Sequence, residues 1–412
     1  MQYPLHIAVI GGGAAGLTAA IFAAKEAAAR NRKVNITVYE AADRVGKKIL
    51  VTGNGRCNLS NEQISAAFYF GETGLFDRIY PLFNRDKTLA FFASLGLLTV
   101  SDEAGRIYPY SKKAASVLDA LLTECARLGV CFAVNTKVSS IRKTRDGYLL
   151  NEDIAADRVI LSVGGKAGAA KQYTDGIFTG LAAAGVRCAP FYPALTAFEI
   201  KGFPKSLKGI RTAGKLSLTK NGKALASSSG EIQYTEYGIS GIAAMELSCY
   251  AEPEAIGNGA YAITADSVPA FTFAELRAHF DHMKKTRPDM PAIVFLTGML
   301  PKALAQYFLK ELKTDPQTPL GNITRKQADG LLGCCKAKTY PVSALRGFES
   351  AQVMRGGICA AELTDTLQLK KLPGVYACGE MTDITGTCGG YNLQWAWTSG
   401  AVAGMNCIRE LK

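Results

Sequence analysis

The sequence predicts an α/β chain in which a discontinuous domain of alternating strands and helices is interrupted by a β-rich domain with a helical portion. Three observations carry this. Residues 5–10, LHIAVI, read as a short buried strand that runs straight into the glycine-rich GGGAAG. After APFYPAL at 189–195 the pattern changes to GKLSLTKNGKAL, whose alternation and Asn-Gly turn belong to an antiparallel hairpin. Beyond about Ser343 the α/β character returns, and LPGVYACGEMTD reads as one more buried strand ending in a loop. The expected domains are 1–189 with 343–412, and 190–342 between them.

Taken in order, GGGAAG opens an alanine-rich helix through about Arg30, and VNITVYE follows as a second strand ending at Glu40. This is the start of a βαβ unit. A helix over Ser116–Leu128 precedes a strand in VCFAVNTKVSSI, and DRVILSVGG at 157–165 is another strand closing on glycines. Such alternation predicts a mostly parallel sheet. In the inserted domain, FAELRAHFDHMKK and LPKALAQYFLKEL carry apolar residues at three-to-four spacing, so residues from about 270 to 315 are expected to be helical.

The composition is globular, and 412 residues suit two or three domains. No run of eighteen apolar residues occurs, and MQYPLHIAVIGGG lacks a basic leader, so the expectation is a cytoplasmic protein without a membrane span. Eleven scattered cysteines with no CxxC fit reduced thiols rather than a disulfide framework or a disulfide reductase. The net charge of +12 favours anionic ligands, yet the basic residues are dispersed, which makes nucleic acid an unlikely partner. His279 and His282 lie three apart on an expected helix with no third ligand nearby, so no metal site is expected. With only three histidines a Ser-His-Asp arrangement is not expected either.

The chemistry begins at Gly11, Gly13 and Gly16, which form GxGxxG. The first glycine permits a tight turn, the second a close approach of backbone to a pyrophosphate, the third close packing of helix on strand. The motif follows a strand, opens a helix with a positive N-terminal dipole, and is answered by Glu40, placed to accept a ribose hydroxyl. Both FAD and NAD share this fingerprint. A single fingerprint accompanied by a second glycine-rich strand end at 163–165, by GVYACGEMTD and by GGYNLQWAWTSGAVAG points to FAD, whose flavin is cradled by a later strand end and a helix N-terminus. Gly389 and Gly390 would let backbone approach the ring, while Trp395 and Trp397 are read as core packing. Lys47, Lys48 and Arg56 surround a Gly-Asn-Gly loop that suits a phosphate or the flavin's polar edge, or else is an ordinary surface turn. Cys57 is either a reactive thiol beside the flavin or a small loop residue.

GGGAAGL, GKKILVTGNGRCNLSN, GEIQYTEYGISG, LPKAL and GVYACGEMTDITGTCGGYNLQWAWTSGAVAG together resemble the BaiN-like bacterial flavoproteins, also described as NAD(P)/FAD-dependent or aminoacetone-oxidase-like oxidoreductases. The resemblance spans nearly the whole chain. It implies a glutathione-reductase-type FAD domain interrupted by the β-rich domain. It carries FAD contacts onto Gly11, Gly13, Gly16, Glu40, Lys48, Arg56, Cys57, Asn58, Val138, Gly379, Asp383, Asn392 and Leu393. The same segments add Ala14, Ala15, Thr52, Gly53, Gly55, Glu380, Gly389, Gly390 and Tyr391 to the candidate cofactor site, and the strand end at 163–165 adds Gly164. This sequence has Asn54 between Gly53 and Gly55, and Ile242 after GISG, where the family often has glycine and proline.

The expected activity is that of an FAD-dependent oxidoreductase acting on a small organic substrate by hydride transfer through flavin N5, with NAD(P)H as a possible transient donor. Reduction of a carbon–carbon double bond and oxygen-dependent oxidation of an amine both remain open, and no catalytic residue stands out. A flavin-bearing protein that docks RNA or a protein partner through its basic surface is the reading from another class.

Overall fold

The computed structural model describes residues 4–168 and 175–411. The chain divides into two compact units, Met1–Tyr192 with Val353–Lys412, and Pro193–Gln352.

In the first unit, β1 (Leu5–Ile10), β2 (Val34–Tyr39), β3 (Cys131–Ala133), β4 (Arg158–Leu161) and β5 (Val375–Ala377) form a parallel sheet in the order β5-β4-β1-β2-β3. Ile7, Val9, Val159, Leu161 and Tyr376 are fully buried, as strands covered on both faces must be. Helix α1 (Ala14–Ala29) lies against this sheet, and helix α2 (Tyr391–Arg409) packs along α1. Their alanines and glycines explain the closeness. A Cβ on Gly404 would fall 2.3 Å from the Ala19 carbonyl oxygen, so only glycine allows the two backbones to touch there.

The strand expected in VCFAVNTKVSSI is broken. Only Cys131–Ala133 pairs with β2; then Asn135 takes φ +53° and its N–H donates to the Ala42 carbonyl at 2.8 Å, which turns the chain off the sheet edge. Ile141–Lys143 starts a separate antiparallel sheet with Tyr148–Leu150 and Ile154–Ala156.

The second unit is built on a seven-stranded antiparallel sheet. Its long hairpin, Arg211–Lys220 with Lys223–Tyr234, turns at Asn221 (φ +52°) and Gly222 (φ +76°), the two positive φ angles that a type I′ turn needs. Helices Phe273–Thr286, Ala292–Thr297, Lys302–Glu311 and Arg325–Ala337 complete this unit. The last of them lies beyond the expected helical span. It begins at a capping box in which Thr324 and Gln327 satisfy each other's backbone N–H groups. No helix among the described residues is long and apolar enough to cross a membrane.

Candidate functional site

The turn between β1 and α1 gives each glycine a separate reason. Gly11 has φ +102°, and a Cβ there would strike the Ser162 carbonyl oxygen at 2.4 Å; a Cβ on Gly16 would strike the Gly11 carbonyl oxygen at 1.9 Å. These two hold strand, turn and helix together. Gly13 is different, since a Cβ on it would meet nothing within 4 Å. Its bare backbone faces open space at the positive end of α1, beside Ala14 and Ala15. Ser162, which sequence reasoning missed, clamps the turn by donating to the carbonyls of Ile10 at 2.8 Å and Gly11 at 2.9 Å.

Glu40 ends β2 with one carboxylate oxygen accepting the Gly12 N–H and the other the Ala42 N–H, both at 2.8 Å. Each oxygen keeps a lone pair for a further donor. Val138 is buried in the same core, two residues beyond Thr136, whose N–H donates to the Glu40 carbonyl.

Lys48 and Glu380, 332 residues apart, form an ion pair at 2.7 Å. The other Glu380 oxygen accepts the Met354 N–H at 2.8 Å, and a Cβ on Gly164 would lie 3.8 Å from this carboxylate. Gly379 adjoins the first glycine-rich turn, because a Cβ on it would come within 2.8 Å of the Ala15 methyl. Residues 48, 164 and 379–380 are thereby gathered at the open end of β1 and β4. Of the other two basic residues around this loop, Lys47 pairs with Asp43, and the Arg56 Nε–H donates to the Gly53 carbonyl at 3.1 Å.

The TGNGRCN loop folds tightly: Gly53, Asn54, Gly55 and Cys57 all have φ between +55° and +79°. Thr52 anchors it by donating to the Ile49 carbonyl at 2.7 Å. Cys57 is fully buried, and burial pushes its thiol up to about 12, which favours the small loop residue over the reactive thiol. Asn58 is buried with its Oδ1 unpartnered among the described residues.

That oxygen faces the start of α2. A Cβ on Gly390 would lie 2.8 Å from Asn58 Oδ1 and 2.3 Å from the Ser60 carbonyl oxygen. The double glycine therefore lets the helix start seat on the 58–61 segment. Asn61 also holds Gly389, donating to its carbonyl at 2.9 Å. Tyr391 stacks on Phe68 at 4.7 Å, and Leu393 packs half-buried against the core. Asn392 bonds backwards: Oδ1 accepts the Gly386 N–H and Nδ2 donates to the Gly386 carbonyl, both at 2.8 Å. Asp383 is half-buried, and desolvation followed by the charge of Glu72 raises its carboxyl above the usual range despite Arg355 nearby.

Both tryptophans are buried, and each bonds one of the converging loops. Trp395 Nε1 donates to Thr382 Oγ1 at 2.9 Å, and Trp397 Nε1 to the Leu59 carbonyl at 3.0 Å. Gln394, just before Trp395, is fully buried too and carried no signal in the sequence, since its partner Ser60 lies 334 positions away.

Three features fit a dinucleotide carrying a flavin. Gly13 offers unobstructed N-terminal backbone for a diphosphate, Glu40 offers a fixed carboxylate for a ribose, and Asn58 holds a buried polar atom without a partner at the helix start.

Residues 5–406 match the HI0933-like protein Rossmann domain family. The chain is 37% identical over 407 residues to a 3-dehydro-bile acid delta(4,6)-reductase of Clostridium scindens, covering 97% of this chain and 98% of that one. It is 24% identical over 425 residues to a ribosomal RNA dihydrouridine synthase of Haemophilus influenzae, covering 99% and 100%. A solved 3-ketosteroid delta1-dehydrogenase of Sterolibacterium denitrificans aligns with a TM-score of 0.47 at 13% identity, over 98% and 99% of the two chains. The chain belongs to the HI0933-like Rossmann family.

Proposed function

We propose that the protein is a flavin-dependent oxidoreductase, that its flavin is FAD and that it reduces a carbon–carbon double bond conjugated to a carbonyl group in a small apolar molecule, with NAD(P)H as donor in the cytoplasm. The observation that carries this reading is the 37% identity to a reductase across nearly the full length of both chains. When bound, FAD supplies hydride transfer through flavin N5. The chain's own part is to bind and orient. Glu40 accepts a ribose hydroxyl, Gly13 with Ala14 and Ala15 presents backbone to the diphosphate, and the start of α2 with Asn58 receives the polar edge of the ring. Lys48, through its ion pair with Glu380, keeps the 46–58 segment closed over these groups.

Anaerobic mixing with NADH or NADPH tests the reading. Bleaching of the flavin spectrum, followed by recovery on adding a cyclic enone, is expected. Flavin that neither nucleotide reduces, but that cycles with a primary amine and oxygen, would establish an amine oxidase instead.

A second reading, RNA as substrate or partner, has one observation in its favour. Residues 201–223 hold seven basic side chains and no acidic one. Three of the seven are already paired, Lys208 with Glu236, Arg211 with Glu231 and Lys220 with Glu252. Binding to ribosomal RNA that weakens steeply with salt would favour this reading, because phosphate contacts release counterions.

A further inference from the structure

We propose that Gln394 is a positioning residue that fixes the start of α2 on the 58–61 segment and so sets the reduction potential of the bound flavin. This rests on the FAD reading above.

Gln394 sits in the first turn of α2, its backbone N–H donating to the Gly390 carbonyl at 2.9 Å. The side chain is fully buried and its amide is satisfied on three elements. Oε1 accepts from Ser60 Oγ at 2.7 Å, and Nε2 donates to Thr88 Oγ1 at 2.9 Å and to Thr398 Oγ1 at 3.0 Å. Thr398 in turn donates to the Phe83 carbonyl at 2.7 Å. A buried amide of this kind specifies register more strictly than an apolar side chain, because any slip leaves donors and acceptors unpaired in a dry environment.

The register matters because of what else Ser60 does. Its carbonyl oxygen lies where the Gly390 side chain would be, so the hydroxyl bonded by Gln394 and the carbonyl seating the helix start belong to one residue. The positive end of the α2 dipole is thus aimed by Gln394. Negative charge that accumulates on the ring edge upon reduction is stabilised by that dipole, and the effect falls off within a turn. Loosening the helix start therefore weakens the stabilisation of the reduced form while leaving the adenosine and diphosphate contacts of the first turn intact.

The test compares Gln394→Leu, Gln394→Glu and Ser60→Ala, loaded with FAD and equilibrated against a redox dye. Gln394→Leu should keep FAD yet shift the potential negative by roughly tenfold in the reduction equilibrium, about 30 mV for a two-electron couple. Ser60→Ala should shift it the same way by less. Gln394→Glu, uncharged in this dry site, should recover part of the shift. Hydrogen exchange of the flavin-free protein supplies a second readout, with faster exchange expected at amides 391–394 in Gln394→Leu.

An unchanged potential in FAD-loaded Gln394→Leu overturns the proposal, even if its melting temperature falls, since lost stability alone marks a purely structural amide. Should Gln394→Leu fail to fold, an unchanged potential in Ser60→Ala overturns it equally. A wild-type protein that takes up no FAD overturns the flavin reading itself, whereas unaltered exchange at 391–394 overturns the clamp alone.

Discussion

Gly400 and Ala15 meet backbone to backbone: a Cβ on Gly400 would stand 2.4 Å from the Ala15 carbonyl oxygen. Gly404 repeats the contact one turn later on Ala19, so the last helix of the chain lies directly on the first. Gly400→Val should destabilise the protein by at least the ~1–3 kcal/mol of an overpacked core, because the neighbour is backbone and cannot rotate away. Gly333→Ala is the control: its Cβ meets nothing within 4 Å, and the gain in helix propensity should stabilise by up to about 1 kcal/mol. Thermal melts of the flavin-free protein check both signs.

Gly13→Val and Gly16→Val should fail in different ways. A side chain at Gly13 enters open space, so the variant should melt near the wild-type temperature but lose most of its FAD. At Gly16 the same side chain strikes the Gly11 carbonyl oxygen at 1.9 Å, and the fold itself should suffer. Flavin content per folded protein, read from absorbance beside a melting curve, separates the two. Wild-type occupancy in Gly13→Val would remove the diphosphate from this turn.

Acid should weaken the first unit partly through Glu124. Its buried carboxylate takes bonds from Arg127 at 2.7 and 2.9 Å and an ion pair from Lys25 at 2.9 Å, which together lower it from 4.5 to about 2. The unfolded chain binds this proton near 4.5 and the folded protein only near 2, so the stabilisation is complete above about pH 4.5 and drains away as the pH falls toward 2. Glu124→Gln should cost about 1 kcal/mol at neutral pH and flatten the acid limb of the melting curve in that window.

Local chemistry was legible in the sequence wherever the partners are neighbours. GxGxxG, the Asn221-Gly222 turn and the apolar stripe of Phe273–Thr286 declare themselves within a few residues. The helix Arg325–Ala337 was not read, although the Thr-x-x-Gln box at 324–327 is a local signal for its start. What could not be read are arrangements that need the folded chain. The break after β3 depends on Asn135 bonding Ala42, Gln394 waits for Ser60, and the close approach of Gly390 to the Ser60 carbonyl joins residues 330 positions apart.

Cys57 should resist alkylation in the native protein. Its thiol is fully buried and held near 12, while Cys131 is exposed on the edge strand. Brief treatment with iodoacetamide at neutral pH, followed by peptide mass analysis, should find Cys131 labelled and Cys57 untouched. Rapid modification at Cys57 in folded protein would restore the reactive-thiol interpretation.

Asn392→Leu should loosen the 386–389 loop before it affects anything at a flavin. Both ends of the Asn392 amide are bonded to Gly386, Oδ1 to its N–H and Nδ2 to its carbonyl, so the side chain closes a ring over the turn that leads into α2. Losing both bonds leaves half-buried backbone groups unpaired, which should cost about 1–3 kcal/mol. Asn392→Asp separates the two contributions: a carboxylate still accepts from the Gly386 N–H but repels its carbonyl, so it should fall between wild type and leucine in stability. If the loop seats Gly389 and Gly390 on the 58–61 segment, FAD occupancy should follow the same order as stability across the three proteins. A direct contact between the Asn392 amide and the flavin predicts something else, a spectral shift in the leucine variant at full occupancy and unchanged melting temperature. Recording flavin spectra, occupancy and melting curves on the same samples decides between a loop clamp and a ligand contact.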